Sequence, residues 1–241
     1  MVFEKIQPPE NLHDCVTRNL AQRVIQAERS SEQLLFPNEA GLCEQLGVSR
    51  SILRESIKVL ADKGLVEVRP RSGMRSRPRA EWNLLDPDIL GWQAELEPDV
   101  RFLRDLCEVR LAMEPTASGF AAVRATAEEI AAIENCLELR EAASPEAAID
   151  LDLQFQSAVV EASHNSLFQQ LNASIRKPFR TALSYTVRLP AAAALDLAAH
   201  RTLLDAIRRH DPMAARAAAE EIVGYAMLAV EQVIRTQEGP A

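Results

Sequence analysis

The chain has 241 residues, 47% of them hydrophobic, with only 8 Gly and 13 Pro, which allows one large or two ordinary domains and excludes a fibrous or disordered chain. The net charge of -8 excludes a general nucleic-acid coat. The charge is nevertheless split, because residues 1–80 hold 13 Lys+Arg against 10 Asp+Glu and the remainder holds 14 against 25. The basic end is therefore the one to search for a polyanionic partner. Cys15, Cys43, Cys107 and Cys136 form no CxxC pair and read as reduced thiols of a cytoplasmic protein. No signal peptide is expected, and no apolar run is long enough to span a membrane.

Residues 11–28 predict a first helix, with Leu12, Val16, Leu20, Val24 and Ile25 near helical spacing. A loop follows over 29–38. Asn38 caps a short helix, roughly 39–46, which Gly47 stops, and Ser49 caps another over 50–63, which Gly64 ends. Two β-like runs, 65–69 and 74–77, flank the turn Pro70-Arg71-Ser72-Gly73 and predict a hairpin. Residues 79–96 read as a linker whose Trp82 and Trp92 pack between domains. Helices are expected over 88–95, 99–123, 126–142, 145–163, 166–187, 191–209 and 212–236, with kinks at Pro115 and Pro178. The fold class is mainly α: a winged helix-turn-helix over 1–78, then an all-α bundle of about six or seven helices over 97–241.

The two short helices joined by Gly47-Val48-Ser49 make a helix-turn-helix, whose second helix enters the major groove. That helix has an apolar stripe (Val48, Ile52, Leu53, Ile57, Leu60) and a basic one (Arg50, Arg54, Lys58). Ser49 and Ser51 add short donors at its start. Arginine suits base reading because its planar fork bonds two acceptors of guanine. The hairpin adds Arg69, Arg71, Arg75, Arg77 and Arg79, and Gly73 at its tip allows close approach to the DNA backbone. The second domain lacks the converging groups of an enzyme: His occurs only at 13, 164, 200 and 210, and no HExxH, GxSxG or phosphate loop is present. The chain is expected not to be an enzyme.

The run Pro37-Asn38-Glu39, Leu42-Cys43, Leu46-Gly47-Val48-Ser49-Arg50, Leu53-Arg54-Glu55 and Lys63-Gly64-Leu65-Val66, then Arg71-Ser72-Gly73-Met74, resembles the winged-helix domain of the GntR family of bacterial regulators. Glu108-Val109-Arg110, Glu114-Pro115, Asp152-Leu153-Gln154-Phe155-Gln156, Ala162-Ser163-His164-Asn165 and His200 through Asp211-Pro212 resemble the FCD ligand-binding domain of its FadR-like branch. The stretch from Glu81 to Trp92 resembles the galactonate-operon repressors within that branch. The resemblance implies a cytoplasmic homodimeric transcription regulator, a repressor, that binds a palindromic operator in double-stranded DNA and is released by a small acidic metabolite such as a sugar acid. It implies DNA contacts from Ser49, Arg50, Ser51, Arg54, Arg71, Gly73 and Met74.

The resemblance also implies an effector cavity lined by Arg110, Asp152, Gln156 and His200, with Tyr185 and Thr186 placed there by position. Arg110 is expected to clamp a carboxylate. The family's divalent metal site places Asp152 and His200 at two ligand positions, but Gln156 and Ile222 stand at the other two, so the site is incomplete and no cofactor is required. The alternatives are an architectural DNA-binding protein without an effector, or a metal-dependent sensor of another carboxylate.

Overall fold

Helix α1 (Leu12–Arg29) opens the computed structural model, and its buried Val16, Leu20, Val24 and Ile25 fall on one helical face. The structure describes residues 12–69, 73–97, 99–186 and 190–238, and their side chains apart from those of 145–146, 181–196, 229 and 232–238. The chain divides into two units, Met1–Leu96 and Glu97–Ala241.

In the first unit, α2 (Glu39–Leu46) starts where the Asn38 side chain accepts the Gly41 N–H at 2.9 Å. It stops at Gly47, whose φ of 66° turns the chain left-handed. Helix α3 (Arg50–Asp62) follows, and Leu53, Ser56 and Leu60 face its core. Strands β1 (Val66–Arg69) and β2 (Gly73–Ser76) pair antiparallel, Val66 opposite Ser76. Leu35 bridges to Arg75 and adds a third, one-residue edge to the wing. The sequence placed that residue in a loop, because a single bridging residue carries no periodicity.

The expected linker is folded. Residues 79–81 form a 3₁₀ turn, and Asp86 caps α4 (Pro87–Ala94). Trp82, Ile89 and Trp92 share one apolar cluster with Leu20, Leu53 and Leu60, so the two tryptophans pack inside the first unit and not between domains. The Trp82 indole N–H donates to the Arg77 carbonyl at 2.9 Å. Lys63 ties the segment to the end of α3 through Asp86 at 2.7 Å and Asp88 at 2.8 Å. Burial disfavours the Lys63 ammonium, but hydrogen bonds to the two carboxylates outweigh it and hold its pKa above the ordinary lysine value.

The second unit has six helices among its described residues: α5 (Val100–Arg124), α6 (Ala127–Glu141), α7 (Pro145–Ala162), α8 (Ser166–Thr186), α9 (Pro190–Arg208) and α10 (Pro212–Glu238). α5 and α8 continue through Pro115 and Pro178. α10 packs chiefly on α5 and α9, and α7 lies against α5, α6 and α8. The core joins Ile133, Leu137, Phe155, Val159, Leu203, Ile207 and Ile222. Taken with the winged head, this is the mainly α architecture that the residue pattern predicts.

A capping box starts α6. The Thr126 N–H donates to Glu129 at 2.8 Å, and the Glu129 N–H donates to the Thr126 hydroxyl at 3.2 Å. His164, on the turn after α7, lies 2.9 Å from the same carboxylate. The Thr126 backbone N–H first, and His164 second, hold the Glu129 carboxyl below the usual carboxylate range. A depressed carboxyl pKa contributes stability that is present above the unfolded value and lost as pH falls through the folded one. Glu129→Ala is therefore expected to cost about 0.5–1 kcal/mol at pH 7. That deficit should shrink as pH falls below the usual carboxylate range, which urea unfolding at pH 7 and at a series of acidic pH values will show.

Candidate DNA interface and effector site

The candidate DNA-facing surface is the outward side of α3. Ser49, Arg50, Ser51 and Arg54 are all exposed there. The Ser49 hydroxyl oxygen accepts the Ile52 N–H at 3.4 Å as the helix cap, which leaves its O–H to donate to a phosphate. Arg54 pairs with Glu39 at 3.0 Å and Lys58 with Glu55 at 2.7 Å. Arg50 makes no ion pair among the described residues. Exposed pairs of this kind are worth about 0–1 kcal/mol, so DNA phosphates can displace them.

The wing is less positive than its arginines suggest. Glu67 sits between Arg69, at 3.1 Å, and Arg75, and hydrogen bonds from Arg75 first, then Arg69, keep its carboxyl below the usual range. Arg77 pairs with Glu81. Gly73 is exposed with a φ of 81°, a conformation that favours glycine. Met74 is a correction: its side chain is 6% exposed and belongs to the apolar core. Strand alternation sends Met74 and Ser76 inward and Gly73 and Arg75 outward, so Met74 has no side chain to offer DNA. Arg71 lies outside the described residues.

The effector residues expected to converge fall into two groups. Arg110, Gln156 and Phe179 line a small, open-mouthed pocket between α5, α7 and α8, together with Glu114, Asn172 and Arg176. Gln156 is 5% exposed. Among the described residues neither its amide oxygen nor its amide nitrogen has a hydrogen-bond partner. Such an orphaned buried amide is costly unless something else fills its valences.

Arg110 is not the free clamp that the sequence suggested. Its Nε and Nη2 donate to Glu114 at 2.5 and 3.0 Å, and the guanidinium lies 3.6 Å from the Phe179 ring centroid. Only Nη1 remains without a partner. The reason is local: Arg110 and Glu114 are four residues apart on one helix face. The cation the sequence reading missed is Arg176, at the pocket on α8, exposed, and after Arg180 it helps hold the Asp150 carboxyl below its ordinary range. Its residue type and helical register were visible, but not which face of α8 meets α7.

Asp152 and His200 do not line that pocket. Asp152 receives the guanidinium of Arg140 from α6, with Nη2 at 3.3 Å. His200 Nε2 lies 3.7 Å from the same carboxylate. The His200 ring also meets Phe155 edge-on at 4.8 Å. Asp152 and Gln156 are one helical turn apart, yet their side chains serve different neighbours. The side chains of Tyr185 and Thr186 lie outside the described residues.

A divalent metal at the incomplete site has little to hold it. Among the described residues, no three His, Cys, Asp or Glu side chains gather as a metal-binding group. Ile222 sits in the apolar core, and a guanidinium with no lone pair already covers Asp152. The residues present do not fit a resident divalent ion.

Residues 12–75 match the bacterial regulatory proteins of the gntR family, and residues 105–224 match the FCD domain. The galactonate operon transcriptional repressor of Escherichia coli K12 is 34% identical over 205 residues, covering 82% of this chain and 88% of that protein. An HTH-type transcriptional regulator of the same organism, YieP, is 30% identical over 91% of this chain and 96% of its own length. The solved structure of Lar, described as controlling the Listeria monocytogenes agr system, superposes with a TM-score of 0.59 at 16% identity over 94% of this chain and 100% of that one, a likeness of fold. Among the described residues no helix is long and apolar enough to cross a membrane.

Proposed function

The chain belongs to the gntR family of bacterial transcription regulators and carries the FCD domain, and from that premise we propose that it is a homodimeric repressor released from its operator by a small sugar acid. The carrying observation is Gln156, buried with an unanswered amide, in a pocket that also presents Arg176. An amide offers one acceptor and two donors to hydroxyls. Arg176 supplies the fixed charge that a carboxylate needs, and Arg110 Nη1 adds one more donor. A hydroxylated acid answers all three. The similarity to a galactonate operon repressor supports the same ligand class. No catalytic role is assigned to the pocket.

Two winged heads related by a two-fold axis fit a palindromic site. The acid acts by binding more tightly to the head arrangement that does not fit DNA, and so shifts the population.

Fluorescence anisotropy with DNA from upstream of the chain's own gene tests this reading. Galactonate and other aldonic or uronic acids are expected to release the DNA. Arg176→Ala should raise the acid concentration required by about 10- to 100-fold, the worth of a charged hydrogen bond, and leave DNA affinity unchanged. A chain that binds the DNA but ignores every acid is a DNA-binding protein without such an effector. An unchanged response in Arg176→Ala removes that residue from the pocket.

A further inference from the structure

Arg140 has no part in the DNA interface or in the effector pocket, yet it is 9% exposed and sits in the bundle with its guanidinium against Asp152. Asp152 is drawn from α7, His200 from α9 and Arg140 from α6, so three helices meet at one carboxylate. Phe155 at 0% and Ile222 at 3% exposure line the neighbouring core. A carboxylate and an imidazole at this depth are good donors to a divalent cation. A guanidinium at the same oxygens competes with it directly: it has donors only, and its fixed charge repels a second cation.

We propose that Arg140 is a built-in cation standing where a divalent metal would otherwise bind Asp152 and His200, so that this FCD domain is held together without metal. The side chain neutralises Asp152, links α6 to α7, and does so with a partner that chelators cannot remove. The inference stands apart from the effector reading, since it concerns metal binding alone.

The test is Zn²⁺ and Ni²⁺ binding by the full chain, followed by calorimetry and by thermal unfolding with and without EDTA. The wild-type protein is expected to take up far less than one equivalent, and its unfolding temperature should be insensitive to EDTA. Arg140→Ala exposes the carboxylate and imidazole to the ion. It is expected to bind Zn²⁺ at least about 100-fold more tightly than wild type. Zn²⁺ should raise its unfolding temperature by roughly 5 °C, a gain that Asp152→Asn in the same chain abolishes. Arg140→Lys, which keeps a cation, should remain unresponsive to Zn²⁺. Stoichiometric metal in the wild-type chain overturns the proposal, as does a folded Arg140→Ala that ignores Zn²⁺. If Arg140→Ala fails to fold, Arg140→Gln, which keeps a polar side chain without the charge, is put through the same assays, and a folded Arg140→Gln that ignores Zn²⁺ overturns the proposal.

Discussion

Glu114→Ala is expected to destabilise the helical unit by about 3–5 kcal/mol, because it leaves the Arg110 guanidinium buried without its counter-charge. Both residues are only 3% exposed. Among the described residues the pocket offers Arg110 no second carboxylate, and its lining includes Gln156, Asn172, Ile175, Arg176 and Phe179. The Phe179 ring face, though favourable to a cation, cannot stand in for the carboxylate that Arg110 Nε and Nη2 donate to. For a domain of this size the loss lowers the unfolding temperature by on the order of 10–20 °C. Removing both charges with well-packed apolar side chains, as in Arg110→Met with Glu114→Leu, is expected to recover most of that loss, since such exchanges of buried pairs are often neutral or stabilising. Thermal unfolding of the single and double variants measures both values. If Glu114→Ala unfolds within about 1 kcal/mol of wild type, the pair is more hydrated than its burial implies.

Arg50→Ala is expected to weaken operator binding by about 10- to 100-fold, the loss of a bidentate base contact worth about 1–3 kcal/mol, with the unfolding temperature unchanged. Arg50 is exposed in the first turn of α3 and has no ion pair to give up among the described residues. Arg54 must first leave Glu39, at 3.0 Å, so Arg54→Ala is expected to lose less. The two effects are separable by competition with unrelated DNA. A base-reading residue loses specificity, whereas a phosphate contact weakens all sequences alike and lowers the salt dependence. Binding of Arg50→Ala within error of wild type would remove Arg50 from the interface.

Much of the chain was legible before folding was considered. Asn38 and Ser49 announce helix starts because a short side-chain acceptor before a helical run has little other use. Gly47 and Gly64 announce ends because positive φ strains other residues. The outward basic face of α3 follows from a period of 3.6 and needs no partner to be read. Local rules failed where a side chain's fate depends on another element. Met74 lies in a run with an arginine wing, but the pleat turns it inward against α1 and α3. Arg110 was read as a clamp although its carboxylate partner stands one turn away.

What the sequence determined by itself is therefore the order of the helices, the outward basic face of α3 and the family. Each is fixed by interactions within a few residues or by a periodic pattern. The tertiary structure alone decided that Gln156 and Arg176 share a pocket, that Asp152 and His200 do not belong to it, and that Arg140 covers the carboxylate. Those three results rest on which faces of α5, α6, α7, α8 and α9 meet, and residues 12 to 60 positions apart become neighbours only when the helices pack.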